Sequence, residues 1–119
     1  TPIHVATTFI RDPDNQYRNG FVYGRPDNQT VRQCEALLAA LEEGPEALLL
    51  GSGMSAATAV VMALPAGAHI VAPTVMYWAL RNWLMNDAPA YGYATTFVDT
   101  TDLAAVKAAV EPGRTKLVW

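Results

Sequence analysis

Ala47-Leu48-Leu49-Leu50-Gly51-Ser52-Gly53-Met54-Ser55-Ala56 is the stretch on which the fold turns. Its first four residues are a short continuous apolar run, the kind buried on both faces of a parallel sheet. Gly51-Ser52-Gly53 reads as a tight turn, and the small-residue run from Ser55 to Leu64 reads as a helix. Strand, glycine turn and helix in that order build an anion cradle: backbone N–H groups point outward and the helix dipole favours negative charge. Ser55, Ala56, Ala57, Thr58 and Ala59 let the first turns approach a sheet, leaving the Gly53 and Met54 amides to face a ligand. The natural guest is a phosphorylated cofactor. A plainer reading is that the glycines only permit the turn.

Downstream, His69–Ala72 reads as a strand stopped by Pro73, and Met76–Asn86 as a helix with Tyr77, Leu80 and Leu84 on one face. Ala94–Val98 reads as a third strand, and Asp102–Val110 as a helix with Thr101 as its cap. Lys116-Leu117-Val118-Trp119 opens a fourth strand, so the chain is expected to be the N-terminal part of a longer protein. Upstream, Thr30-Val31-Arg32-Gln33 reads as a capping box. Val31, Cys34, Leu37, Leu38 and Leu41 then recur at helical spacing until Glu43-Gly44-Pro45. Strand and helix alternate three times, which predicts an α/β fold with a mostly parallel sheet and helices on both faces. Residues 1–29 carry prolines, asparagines and aspartates without periodicity. They read as an extended arm reaching a neighbouring subunit, leaving 30–119 as the α/β domain.

Composition narrows the functions. The chain has 119 residues, 51% of them hydrophobic and 16% charged, with a net charge of −3, which argues against disorder and against nucleic acid or anionic lipid as partner. No run approaches the length of a membrane span, and the N-terminus lacks a basic region followed by an apolar one. The expectation is a soluble cytoplasmic protein. Cys34 is the only cysteine and is expected as a buried thiol on the apolar side of its helix. His4 and His69 have no partners at a metal-ligand spacing. Lys107 and Lys116 do not read as Schiff-base lysines.

Arg25 suits bidentate pairing with phosphate. Tyr23, two residues away on an extended segment, projects toward the same side. Tyr77 follows the second strand, near the sheet edge where ligands of open α/β folds collect, and its ring could stack on a flat heterocycle. Trp78 and Trp83 are assigned to packing or subunit contact. Gly51-Ser52-Gly53-Met54-Ser55-Ala56 also fits a dinucleotide fingerprint, but the second strand ends Ala72-Pro73-Thr74 without the acidic residue that binds ribose. A non-catalytic module binding a phosphate ligand or a partner through the arm is the other alternative.

As an ordered set, Tyr23-Gly24-Arg25-Pro26-Asp27-Asn28-Gln29-Thr30, Ser52-Gly53-Met54 and Tyr77 resemble the pyridoxal-phosphate enzymes of the Cys/Met metabolism family. The resemblance spans nearly the whole chain. It implies the fold-type I large domain, with the Gly53 and Met54 amides on the phosphate of pyridoxal 5'-phosphate and Tyr77 stacked on its ring, where it could also handle protons. It also implies that Tyr23 and Arg25 reach the neighbouring subunit's cofactor, in a tight dimer usually paired into a tetramer. The substrate would be a small amino acid, and the reactions β- or γ-elimination or γ-replacement. Family members usually read Asn-Pro-Thr where this chain has Asn28-Gln29-Thr30, and Gly-Asp-His where it has Gly67-Ala68-His69. The Schiff-base lysine, the aspartate on the pyridine nitrogen and the arginine on the substrate carboxylate are implied to lie beyond Trp119, so this stretch alone would be inactive.

Overall fold

Asn28, rather than Thr30, starts the first helix in the computed structural model, which describes residues 2–119. The Asn28 side chain accepts from the Thr30 N–H at 2.8 Å and donates to the His4 carbonyl at 3.0 Å. The Thr30 hydroxyl accepts from the His4 N–H at 2.9 Å. A capping box at Thr30 is therefore corrected: its hydroxyl holds the arm, and the cap falls to the asparagine two residues earlier. The helix, α1, runs Gln29–Leu41. It ends with Glu43 at φ 52° and the Gly44 N–H returning to the Ala39 carbonyl at 2.9 Å, a left-handed stop of the Schellman type.

The chain forms two compact units, Thr1–Leu49 and Leu50–Trp119. In the first, the arm folds back on itself through an antiparallel bridge between Thr8 and Tyr23. Phe9 and Phe21 pack with their rings tilted by 33° and centroids 5.2 Å apart, and α1 follows. The expected strand at Ala47–Leu50 is absent: Leu48 is 75% exposed and the run pairs with no other segment among the described residues. The Leu49 N–H instead donates to the Glu35 carboxylate at 2.8 Å. Hydrophobicity can nominate a strand, but only a neighbouring ladder edge makes one.

The second unit carries the sheet. Helix α2 spans Gly53–Met62, β1 His69–Pro73, α3 Trp78–Asn86, β2 Ala94–Val98, α4 Leu103–Ala109 and β3 Thr115–Val118. A short 3-10 helix at Ala88–Tyr91, not anticipated, links α3 to β2. The strands are all parallel in the order β2-β1-β3. As the middle strand β1 is buried from His69 to Ala72, as a continuous apolar run in a parallel sheet should be. Ile70 and Ala72, on one pleat, pack with Ala57 and Val61 of α2 and Leu80 and Leu84 of α3. Asp102 caps α4 by accepting from the Ala104 and Ala105 N–H groups, which corrects the expected cap at Thr101. Thr101 instead donates through both its N–H and its hydroxyl to Asp99.

Candidate functional site

The leading N–H groups of a helix have no intrahelical acceptor. At α2, the N-cap Ser52 has extended backbone and its hydroxyl takes the Ser55 N–H at 3.0 Å. The Ala56 N–H closes the first turn on the Ser52 carbonyl at 3.0 Å. That leaves Gly53 and Met54, whose N–H groups find no acceptor among the described residues. Neither Gly51 nor Gly53 has a positive φ, and a Cβ built on either would meet nothing within 4 Å. The turn thus demands glycine neither for conformation nor for packing, and the space over Gly53 is open to a ligand.

These donors open into a cleft of about 520 Å³ bordered by Ser52, Gly53, Met54, Met76, Tyr77 and Trp119, with the buried Ala57 and Leu80 behind them. No lining residue carries a charge, so the positive potential there comes from the helix terminus. Tyr77 is the N-cap residue of α3, makes no capping bond through its side chain and is 63% exposed. Its ring therefore keeps a face available. Two acceptor-free amides at a helix start suit a phosphate, and apolar walls beside a phenol suit a flat heterocycle.

Tyr23 and Arg25 meet each other in the first unit. The Arg25 guanidinium donates to the Tyr23 hydroxyl at 2.9 Å and lies 5.3 Å from its ring centroid. The same-side projection expected of the pair is present. Between them, Gly24 is required by packing: a Cβ there would lie 2.1 Å from the Ala6 carbonyl oxygen. The absent side chain allows the Gly24 N–H to reach the Thr7 carbonyl at 2.8 Å, which fixes the hairpin-like fold of the arm.

The remaining candidates have other occupations. His69 is 1% exposed, and its two ring nitrogens lie 2.8 Å from the Thr115 hydroxyl and 2.9 Å from the Thr96 hydroxyl, so it ties β1 to both neighbours. Lys107 and Lys116 are exposed. Cys34 is half-buried, in a shallow groove with Ile3 and Leu37, which corrects the expectation of a buried thiol: α1 turns that face toward the surface of its unit. Trp83 packs on Tyr91 with centroids 6.3 Å apart, and Trp78 is 68% exposed. Met76 and Trp119 border the cleft without having been singled out. The rule that flags Tyr77, a position just past a parallel strand, applies equally to Trp119 after β3.

Comparison with known proteins bears on this arrangement. The profile of the family described as "Cys/Met metabolism PLP-dependent enzyme" matches residues 1–119. Cystathionine gamma-synthase of Mycobacterium tuberculosis is 38% identical over 119 residues, covering 99% of this chain and 30% of the relative. Cystathionine gamma-lyase of Rattus norvegicus is 34% identical over 118 residues, covering 99% of this chain and 29% of that protein. The crystal structure of metB from Corynebacterium glutamicum superposes with a TM-score of 0.91 at 35% identity, over 100% of this chain and 31% of the other. The chain therefore spans about a third of the length of the proteins it matches.

Proposed function

Because the chain belongs to the Cys/Met metabolism PLP-dependent enzyme family, we propose that it is the cofactor-holding portion of a transsulfuration enzyme. The reaction is a β- or γ-elimination or a γ-replacement on a sulfur amino acid or an O-acylhomoserine. The names of the relatives support this chemistry. One observation carries the reading: two acceptor-free N–H groups, at Gly53 and Met54, open into an apolar cleft beside Tyr77.

Pyridoxal phosphate, when bound, supplies an electron sink for the negative charge that develops at the substrate Cα. The Gly53 and Met54 amides hold its phosphate, with the dipole of α2 favouring the dianion. Tyr77 covers one face of the pyridine ring, excludes water from it and is placed to hold or pass a proton at its Oη. Tyr23 and Arg25 present a phenol and a guanidinium to the phosphate of a neighbouring subunit's cofactor, in a dimer that pairs into a cytoplasmic tetramer. The Schiff-base lysine lies outside residues 1–119, which by themselves are inactive.

Gly53 is the first helical residue of α2 and follows an extended Ser52. Both features suit proline, whose ring removes the N–H without breaking the helix. In the full-length protein, pyridoxal phosphate gives a visible absorbance band that borohydride abolishes. Gly53→Pro keeps the far-ultraviolet circular dichroism and weakens cofactor affinity by about 10- to 100-fold, the size of one hydrogen bond to a charged group. A full-length protein that takes up no pyridoxal phosphate, or a Gly53→Pro variant that binds it unchanged, overturns the reading.

A further inference from the structure

We infer that Arg32 is a positioning residue for the proposed cofactor contact of Tyr23 and Arg25, a clasp on α1 that closes the turn carrying both; this rests on the function proposed above. Tyr23 and Arg25 lie between Phe21 and Asp27, and the Arg32 side chain engages both of those flanking residues. Its guanidinium lies over the Phe21 ring, 4.4 Å from the centroid. It also forks onto Asp27: Nε donates to one carboxylate oxygen at 2.6 Å, and a terminal amino group donates to the other. Asn28 is the N-cap of α1, so Asp27 sits just before the cap and Arg32 four residues after it. An apolar contact between those two positions commonly fixes the angle at which a chain enters a helix. Here a charged fork makes that contact.

The backbone holds the remainder of the turn. Tyr23 bridges to Thr8, the Gly24 N–H reaches the Thr7 carbonyl, and the buried Phe21 packs on Phe9. Arg25 is exposed and Tyr23 half-buried, and their side chains hydrogen-bond only to each other among the described residues. A phenol and a guanidinium on a free turn would sample many arrangements, and apparent affinity falls with the fraction of molecules in the competent one. Clasping both ends of the turn raises that fraction. Arginine suits the double task, since its planar group pairs with a carboxylate through a fork of donors while its face covers a ring; a lysine ammonium offers no such fork.

The test uses the full-length protein, stripped of cofactor and titrated with pyridoxal phosphate, with affinity read from the visible band. The Y23F/R25A double variant binds at least about 10-fold more weakly. R32A weakens binding about 5-fold, and R32K, which keeps the charge without the fork, about 3-fold. The deciding readout is the combination: on the Y23F/R25A background, R32A changes affinity by less than about 1.5-fold, because the contact it positions is already gone. An arginine that only supports the fold would weaken binding equally on both backgrounds. Equal losses on both, or unchanged affinity in R32A and R32K, overturn the assignment. If R32A fails to fold, R32K goes through the same comparison. Failure of the parent to take up pyridoxal phosphate overturns the proposed function and this assignment together. A Y23F/R25A variant that binds like the parent overturns the proposed contact of that pair and this assignment with it, whereas a weakened Y23F/R25A beside unaffected Arg32 variants overturns this assignment only.

Discussion

Asp99 shows how one side chain can organise a loop at the sheet edge. It accepts from the Thr101 N–H at 2.9 Å and from the Thr101 hydroxyl at 2.7 Å, and these two donors hold its carboxyl below the usual carboxylate range. A depressed folded-state value means that the stabilisation is present above the unfolded carboxyl's titration and is lost as pH falls through the folded one. A carbon-detected NMR titration should therefore find Asp99 titrating at lower pH than a free aspartate, and Thr101→Val should move it back up. Thr95 is the converse case. Its hydroxyl is the one buried side-chain polar atom without a hydrogen-bond partner among the described residues, so Thr95→Val, which keeps the shape, should raise stability by about 1 kcal/mol in urea unfolding. Neither effect is legible in the sequence, where Asp99-Thr100-Thr101 reads as ordinary loop polarity and Thr95 as an ordinary strand residue. Burial and partners are properties of the folded surroundings.

At the scale of elements, α1 shows how local signals fix the existence of a helix better than its ends. The spacing of Val31, Cys34, Leu37, Leu38 and Leu41 predicts the body of Gln29–Leu41. The start slips by two residues because the Thr30 hydroxyl is engaged by the His4 backbone across the arm, a contact that no window of sequence contains. The stop places Glu43 at φ 52°, a left-handed conformation that an L residue with a Cβ adopts at a cost of about 1–2 kcal/mol. Glu43→Gly should relieve it and, after glycine's entropic penalty, raise the midpoint of thermal unfolding by an amount equivalent to about 0.5–1 kcal/mol. Strands β1 and β2 come out close to expectation because a strand bounded by Pro73 or by turn residues is delimited within a few positions. The Ala47–Leu50 run fails the same test because its backbone meets Glu35 rather than another strand.

For the molecule as a whole, apolar surface is left open at Leu41, Leu48 and Leu49 in the first unit and at Val60, Val75 and Trp78 in the second, and β2 and β3 have no strand on their outer sides among the described residues. Produced alone, residues 1–119 should bind a hydrophobic dye and elute from size exclusion as self-associated species, since open sheet edges and exposed apolar surface both promote association. A monodisperse monomer with no dye binding would contradict this. No helix among the described residues is long and apolar enough to cross a membrane. The sequence by itself determines the α/β class, the places of α2, β1 and β2, and the glycine turn that sets Gly53 and Met54 at the start of α2, because hydrophobic runs, glycine turns and caps act over a few neighbouring residues. Tertiary structure alone decides that Ala47–Leu50 is no strand here, that His69 ties three strands through Thr96 and Thr115, and that Trp119 shares a cleft with Tyr77. Each of these depends on residues far apart in the chain being carried to one place by the pairing order β2-β1-β3, and pairing order is set by which ladder edges meet.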